Sequence, residues 1–234
     1  MKKKIVISFL FLIIFLGGFL FWKSSPFSFF KKNDRQTFQE EIALEEIFLN
    51  IEKYLERIKV KEEIPQEIRE KFLKQLEKIK EKIKNTPPEK NFYNFLDLGI
   101  VLNELGDKEK TVWAYQIAGK ISPKNFPSFY NQGVVLIDLK RYNEAEEVLL
   151  QAKENAPKEV IVYLRIGELY RKYLKKSKEE IEEIYLEGIK NTHHPTLIKE
   201  LASFYQEIGE ENLARQYYFQ AQEAEKNLPE KIKL

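Results

Sequence analysis

The chain has 234 residues, with 39 basic and 37 acidic side chains and no cysteine. Three lysines near the N-terminus account for the excess charge, since the body without residues 1–22 carries 36 basic and 37 acidic residues. A body without excess positive charge is poorly suited to neutralise phosphates, which argues against nucleic-acid binding. The absence of cysteine excludes disulfides, thiolate catalysis and cysteine-ligated zinc. Nine glycines and nine prolines favour long helices over many short strands.

Residues 5–22 form an uncharged and mostly apolar run of 18 residues. As a helix this run spans roughly 27 Å, which matches the hydrocarbon core of a bilayer. Trp22 and Lys23 stand at its end, where an interfacial aromatic and a snorkelling lysine are typical. A cleaved signal peptide is the alternative, but the run is long for one and no small-residue cleavage site follows. We therefore predict a short basic tail (1–4), a transmembrane signal anchor (5–22) and a juxtamembrane linker (23–36).

The orientation of this anchor depends on the charges that flank it. Three lysines and the terminal amine precede the run. Four basic residues follow it, namely Lys23, Lys31, Lys32 and Arg35. The counts nearly balance, but a short lysine-rich N-terminus of a signal anchor usually stays in the cytoplasm. We predict a single-pass protein of a bacterial inner membrane, with its body outside the cytoplasm.

Residues 37–90 have a helical pattern of their own. Thr37 and Glu40 have the spacing of a capping box, at the start of a helix expected to run to about Val60. A second helix is expected from Pro65 to the proline pair at 87–88. A coiled-coil dimer is one interpretation, but only about two heptads are present where three to four are typical. A degenerate repeat or capping pair, packed on the element that follows, fits the broad apolar stripe better.

From residue 92 the sequence repeats with a period of 34 residues. Gly99, Gly133 and Gly167 are spaced by this interval. The period divides residues 91–228 into four units, at about 92–125, 126–159, 160–194 and 195–228, and leaves a C-terminal tail at 229–234. The third unit slips, which implies an insertion of one or two residues near 175–176, and Ser177 with Glu180 predicts a capping box after it.

This pattern resembles the tetratricopeptide repeat family, in which small residues let two antiparallel helices touch and a proline closes each unit. The first unit carries the resemblance at Phe95, Leu98, Gly99, Leu102, Gly106, Tyr115, Ala118 and Pro123. The second unit carries it at Phe129, Gly133, Leu136, Ala145, Leu149, Ala152 and Pro157. The resemblance implies an all-α fold, a right-handed superhelical solenoid of antiparallel helix pairs, here preceded by the transmembrane helix. Each pair exposes an apolar face that only the next pair covers, so several units are needed.

In this family the first helices of successive units line a concave groove that binds protein ligands. By resemblance, the groove is lined here by Tyr93, Leu96, Ile100, Tyr130, Asn131, Val134, Ile137, Ile161, Leu164, Arg165 and Arg171. Its beginning is apolar and aromatic, and it becomes basic in the third unit. The carboxylate clamp of some family members is matched only at Asn131 and Arg165, and we do not predict one. Such a groove suits an amphipathic helix or an extended segment with an acidic terminus.

Residues for catalysis or metal binding are sparse. His193 and His194 are the two histidines, and as neighbours in a turn they cannot form the i, i+4 pair of a metal-binding helix. No glycine-rich phosphate loop, nucleophile elbow or His-Asp-Ser order is present. We predict that the protein is not an enzyme and uses no cofactor, metal or small-molecule substrate.

The predicted function is that of a membrane-anchored scaffold or adaptor that binds a partner protein or peptide in the groove, in the assembly of envelope complexes. One alternative is a structural subunit of a membrane complex, whose groove is filled by its own residues 37–60 and takes no exchangeable ligand. Another is a regulator or chaperone-like holdase attached to an enzyme complex. All three rest on the fold, which hosts many partners.

Overall fold

The computed structural model describes residues 47–48, 50–56 and 58–226. From Phe48 onward they form one compact helical unit, and none of the described residues lies in a β-strand. The predicted tails, anchor and linker lie outside the described residues. Where the structure does describe the chain, it contains no helix long and apolar enough to cross a membrane.

The helices follow one another along the described part of the chain and pack in sequence order. They are α1 (Ile51–Leu55), α2 (Gln66–Asn85), α3 (Phe92–Leu105), α4 (Lys108–Ile121), α5 (Phe126–Asp138), α6 (Tyr142–Asn155), α7 (Val160–Glu168), α8 (Lys178–Thr192), α9 (Pro195–Glu207) and α10 (Glu211–Lys226). From α2 to α10 each helix contacts the next. The pairs α3–α4, α5–α6, α7–α8 and α9–α10 correspond to the four predicted units, so the fold is a solenoid of helix pairs.

The helices within a pair approach each other at the repeated glycines. A Cβ at Gly99 would lie 2.3 Å from the ring of Tyr115, and one at Gly167 would lie 2.4 Å from the ring of Tyr185. At Gly133 the corresponding neighbour is Leu149, at 2.5 Å. Real side chains do not tolerate such distances, so these positions require glycine. The 34-residue spacing of the glycines therefore reflects the close contact between the two helices of each unit.

Local signals determine where several helices begin and end. Gly106 ends α3 with a φ of 91°, a left-handed conformation that glycine adopts readily. The carboxylate of Asp107 then caps α4 by accepting the N–H of Lys110 at 3.2 Å. The capping box predicted at the start of α8 is confirmed, because the Ser177 hydroxyl accepts the N–H of Glu180 and the Glu180 carboxylate accepts the N–H of Ser177.

The third unit accommodates its extra length in a π-helical turn. This turn, Leu169–Leu174, continues directly from α7. Its i→i+5 hydrogen bonds close a turn that contains one more residue than the i→i+4 turn of an α-helix. This extra residue agrees with the interval of 35 residues, one more than the repeat period, between Gly167 and Ala202. Lys175 then takes a φ of 52°, and the N–H of Lys176 closes the turn on the carbonyl of Tyr170 at 3.1 Å. The slip predicted near 175–176 therefore begins in the preceding helix.

The segment before α2 departs from the sequence-based expectation. A helix was predicted to run to about Val60, but α1 ends at Leu55 and Glu56 is extended. The backbone beyond it bonds to the turn between α3 and α4: the N–H of Lys59 donates to the Asp107 carboxylate at 2.9 Å, and that of Lys61 donates to the Leu105 carbonyl at 3.0 Å. These tertiary hydrogen bonds replace the helical ones, so the apolar pattern alone overestimated the length of this helix.

Candidate functional site

One face of the solenoid presents apolar side chains from the first helices of the first and third units. Tyr93 on α3 and Ile161 on α7 are 68 residues apart, twice the repeat period, so they hold the same place in the first and third units. Tyr93 is 73% exposed and Ile161 is 48% exposed. Ile100, two turns after Tyr93, is also 48% exposed. Because equivalent positions align along a solenoid, these residues lie on the same face of it.

A second row of residues on the same helices is half-buried. Leu96, Tyr130 and Leu164 follow one another at the 34-residue interval, and each packs against the core while leaving part of its side chain accessible. Asn131, Val134 and Arg165 are also half-buried. We use the name groove surface for the predicted groove residues that are exposed or half-buried: Tyr93, Leu96, Ile100, Tyr130, Asn131, Val134, Ile161, Leu164 and Arg165.

Two of the predicted groove residues, Ile137 and Arg171, have buried side chains. Ile137 lies in the hydrophobic core with 7% of its surface exposed. The side chain of Arg171 is also 7% exposed and makes an ion pair with Glu200 at 3.1 Å. Its guanidinium further pairs with Glu207 and donates to the hydroxyl of Tyr185 at 3.3 Å. Arg171 thus connects the third unit to the fourth, which reduces its capacity to bind a ligand.

The basic character predicted for the third unit is largely balanced by neighbouring acids. Arg165 makes an ion pair with Glu168 at 2.6 Å, and Lys172 makes one with the same carboxylate at 3.1 Å. The buried Nε of Arg165 has no hydrogen-bond partner. These contacts leave less free positive charge in this part of the groove surface than the residue count suggests.

At the other end of the groove surface, two lysines of α2 have no acidic partner in the described part of the chain. A cavity of about 310 Å³ between α2 and α3 is lined by Gln75, Lys78, Ile79, Lys82, Asp97, Ile100 and Val101. Ile100 belongs both to this cavity and to the groove surface. Among the ion pairs within the described ranges, none includes Lys78, Lys82 or Asp97. Sequence reasoning missed these lysines because α2 lies outside the repeats, although their i, i+4 spacing beside an apolar stripe was visible.

The described part of the N-terminal segment contacts the second helix of the first unit. The ring of Tyr54 stacks on Trp113 of α4 with 5.3 Å between ring centroids, and Lys110 of α4 donates to the Tyr54 carbonyl at 2.6 Å. Phe48 meets the buried ring of Phe95 edge-on at 5.6 Å. These contacts leave Tyr93 and Ile100 exposed, so the described residues between 48 and 61 do not fill the groove surface. Residues 37–46 lie outside the described part of the chain.

The described residues include no group of three or more His, Cys, Asp or Glu side chains that could hold a metal ion. His193 ends α8 in a left-handed conformation, and His194 caps α9 by accepting the N–H of Thr196 at 3.3 Å. Burial raises the pKa of the Tyr115 hydroxyl to about 12, with a smaller contribution from Glu104. Burial also raises the pKa of Tyr185. A raised pKa keeps these hydroxyls protonated, which is the opposite of nucleophile activation.

A family model described as "Tetratricopeptide repeat" matches residues 126–159, the second unit. No curated protein matches the sequence. Among solved structures, a crystal structure of MamA is similar to this chain with a TM-score of 0.56 and 18% identity, over 71% of this chain and 97% of that one.

Two further solved structures resemble the chain. MamA 41-end from Desulfovibrio magneticus RS-1 is similar with a TM-score of 0.53 and 22% identity, over 78% of this chain and 96% of that one. PilF from Pseudomonas aeruginosa is similar with a TM-score of 0.53 and 20% identity, over 80% of this chain and 78% of that one. Identities at this level establish a shared fold and do not identify a ligand.

Proposed function

We propose that this chain, a tetratricopeptide repeat protein, is a membrane-anchored scaffold or adaptor that binds a segment of a partner protein along its groove surface. Proteins with this repeat are generally non-catalytic scaffolds for protein–protein interaction. The observation that carries the proposal is the exposure of Tyr93, Ile100 and Ile161 on the first helices. Exposed apolar side chains that form one face are costly in water and are typical of interaction surfaces.

The chemistry of the groove surface indicates the form of its ligand. Leu96, Tyr130 and Leu164 are half-buried at equal intervals, which creates shallow apolar sites along the solenoid. An amphipathic helix presents apolar residues every three to four positions and can fill such sites in succession. The amide of Asn131, between these sites, can hydrogen-bond a ligand backbone. A single peptide segment of a partner is therefore the ligand that we propose.

The membrane part of the proposal rests on the sequence of residues 1–36. The apolar run at 5–22 has the length of a membrane span, and the lysines before it favour a body outside the cytoplasm of a bacterial inner membrane. In that position the solenoid would assemble complexes of the envelope. Removal of residues 1–22 tests this part: we expect the full chain to stay in membranes after alkaline extraction and the shortened chain to be released. Release of the full chain by the same treatment would contradict the anchor.

The binding surface is tested by a double variant and a control variant. Ile100→Glu with Ile161→Glu places two charges on the groove surface, and Leu186→Glu places one on α8, where Leu186 is 42% exposed outside that surface. We expect proteins that co-purify with the full chain from its native membranes to be lost with the double variant and kept with the control. Equal sets of co-purifying proteins, quantified by mass spectrometry for all three chains, would contradict binding at the groove surface.

A further inference from the structure

Helix α2, which precedes the repeats, forms one wall of the cavity at the first end of the groove surface. Ile79 of α2 and Val101 of α3 are buried at its base, while Lys78, Lys82 and Ile100 are exposed at its rim. On α2, Lys78 and Lys82 are one helical turn apart and therefore point the same way. The rim thus combines two ammonium groups with an accessible isoleucine.

Several other cations of the described chain have acidic partners, unlike these two lysines. On the same helix, Lys80 makes an ion pair with Glu77 at 2.6 Å, and Lys84 pairs with Glu52. In the third unit, Arg165 and Arg171 also have acidic partners. Asp97 lines the cavity too, but it lies beyond ion-pair distance of both lysines. The cavity therefore carries two positive charges against one negative charge, and none of them is engaged by another charged side chain of the described chain.

We infer that the partner segment of this groove presents acidic side chains beside its apolar ones, and that these acids bind Lys78 and Lys82. This inference rests on the proposed function of the groove surface. The apolar side chains of the segment cover Ile100 and continue onto Leu96 and Tyr130, while its acidic end lies at α2. Two lysines attract an acidic group more strongly than one does. The apolar part of the ligand lowers the local dielectric constant when it covers the cavity, and the stronger attraction offsets the cost of removing water from the ammonium groups.

The end of the groove surface that binds the acidic part of the ligand differs from the end that the sequence indicated. A count of basic residues places the cationic end in the third unit, where the acids of the third and fourth units neutralise it. Arg165, Arg171 and Lys172 of the third unit have acidic partners, whereas Lys78 and Lys82, ahead of the first unit, make no ion pair among the described residues. A ligand with acids at one end and apolar residues along its length would consequently bind in one register. Any other register would place basic or uncharged ligand residues at α2 and lose the attraction to its lysines.

The test is a selection of peptides from a random library displayed on phage, against the full chain held in detergent micelles. Four immobilised proteins are compared: the wild type, Lys78→Glu with Lys82→Glu, the control Lys120→Glu with Lys124→Glu, and Ile161→Glu. Lys120 and Lys124 are exposed, lie away from the cavity and give the control the same net charge as the α2 variant. Since all four lysines are exposed, both double variants should keep the helical circular dichroism and unfolding temperature of the wild type.

We expect the wild type and the control to enrich Asp and Glu next to apolar residues, and the α2 variant to lose the acidic enrichment. A labelled peptide from the wild-type selection should bind the α2 variant at least about tenfold more weakly in fluorescence anisotropy, and the difference should shrink at high salt. Equal acidic enrichment or equal affinity for the α2 variant would overturn the inference. Conversion of an oligomer to a monomer by the α2 variant would also overturn it, because a second copy would then occupy the cavity.

Ile161→Glu separates this inference from the proposed function. Ile161 lies on the groove surface two units away from α2. Its substitution by glutamate should weaken binding of the selected peptide through the lost apolar contact and the added charge, without altering either lysine. If this variant weakens binding and the α2 variant does not, the groove binds peptides and the acidic preference is wrong. If Ile161→Glu leaves the binding of the selected peptide unchanged, the proposed function of the groove surface is contradicted, whatever the result for the α2 variant.

Discussion

The ring of Tyr185 on α8 lies against Gly167 on α7 so closely that a Cβ at position 167 would be 2.4 Å from the Tyr185 Cζ. The same relationship joins Gly99 and Tyr115 in the first unit. The tyrosine side chain thus occupies the space that any other residue would need. This contact explains why a helix interior tolerates glycine, whose low helical propensity costs about 1 kcal/mol.

Replacement of Gly167 by alanine should therefore destabilise the protein, although alanine favours helix formation. The displaced ring and overpacked core should lower the free energy of unfolding by about 1–3 kcal/mol. Gly119→Ala is the matched control, because its Cβ would meet the nearest ring atom of Phe129 at 3.2 Å, where a small shift suffices. Urea unfolding followed by circular dichroism measures both, and a Gly167→Ala variant as stable as Gly119→Ala would contradict the close contact.

Arg171 should stabilise the junction between the third and fourth units. Arg171→Met removes its ion pairs with Glu200 and Glu207 and its hydrogen bond to Tyr185. Because both carboxylates remain partly exposed and can be hydrated, we expect a loss of about 1–3 kcal/mol in unfolding free energy. Lys172→Met is the control in the same turn, since its ion pair with Glu168 is exposed, and it should change stability by less than about 0.5 kcal/mol. Equal effects in denaturant unfolding would argue against a structural role for Arg171.

The capping box of α8 should make stability depend on pH. Hydrogen bonds from the backbone and hydroxyl of Ser177 lower the pKa of Glu180 below its usual value. A group whose pKa is lower in the folded state stabilises the fold above its unfolded pKa of about 4.3. That contribution is lost as pH falls through the folded value. Glu180→Gln keeps the geometry without the charge, so the stability difference from the wild type should be largest near neutral pH and vanish in acid. A difference independent of pH, measured by urea unfolding between acid and neutral pH, would contradict this origin.

Tyr54 and Tyr93 are a pair of tyrosines with opposite expected effects. Tyr54 stacks on Trp113, so Tyr54→Ala should lower the unfolding free energy by about 0.5–1.5 kcal/mol. Tyr93 is largely exposed on the groove surface, so Tyr93→Ala should leave stability nearly unchanged and reduce ligand binding. Thermal unfolding of the two variants distinguishes these roles. A larger loss of stability for Tyr93→Ala would show that this ring supports the fold.

Much of the repeat architecture follows from the sequence because its determinants recur along the chain. The interval between Gly99, Gly133 and Gly167 corresponds to the contact between the helices of each pair. The spacing of Ser177 and Glu180 identified the start of α8. In both cases the residues that interact are set by a short-range or periodic rule, so their partners can be identified without coordinates.

The features that the sequence did not predict depend on contacts between distant residues. The helix expected to reach Val60 ends early because Lys59 bonds to Asp107, 48 residues away. The positive charge of Arg171 is balanced by Glu200 and Glu207, which belong to the next unit. Lys78 is a candidate binding residue because it lines the same cavity as Ile100, a relationship that depends on the packing of α2 against α3. Charge counts along one helix do not contain these relationships, which are set by tertiary packing.

Site-specific photo-crosslinking tests the central claim, that a partner protein binds the groove surface, most directly. A photoreactive residue would replace Tyr130 or Leu164 on the groove surface, or the more exposed Leu186 on α8 as a control, in cells that produce the full chain. We predict crosslinks to another polypeptide from positions 130 and 164 and none to that polypeptide from 186. Crosslinks only to the chain's own residues 37–60, or the same crosslinks from all three positions, would contradict the claim.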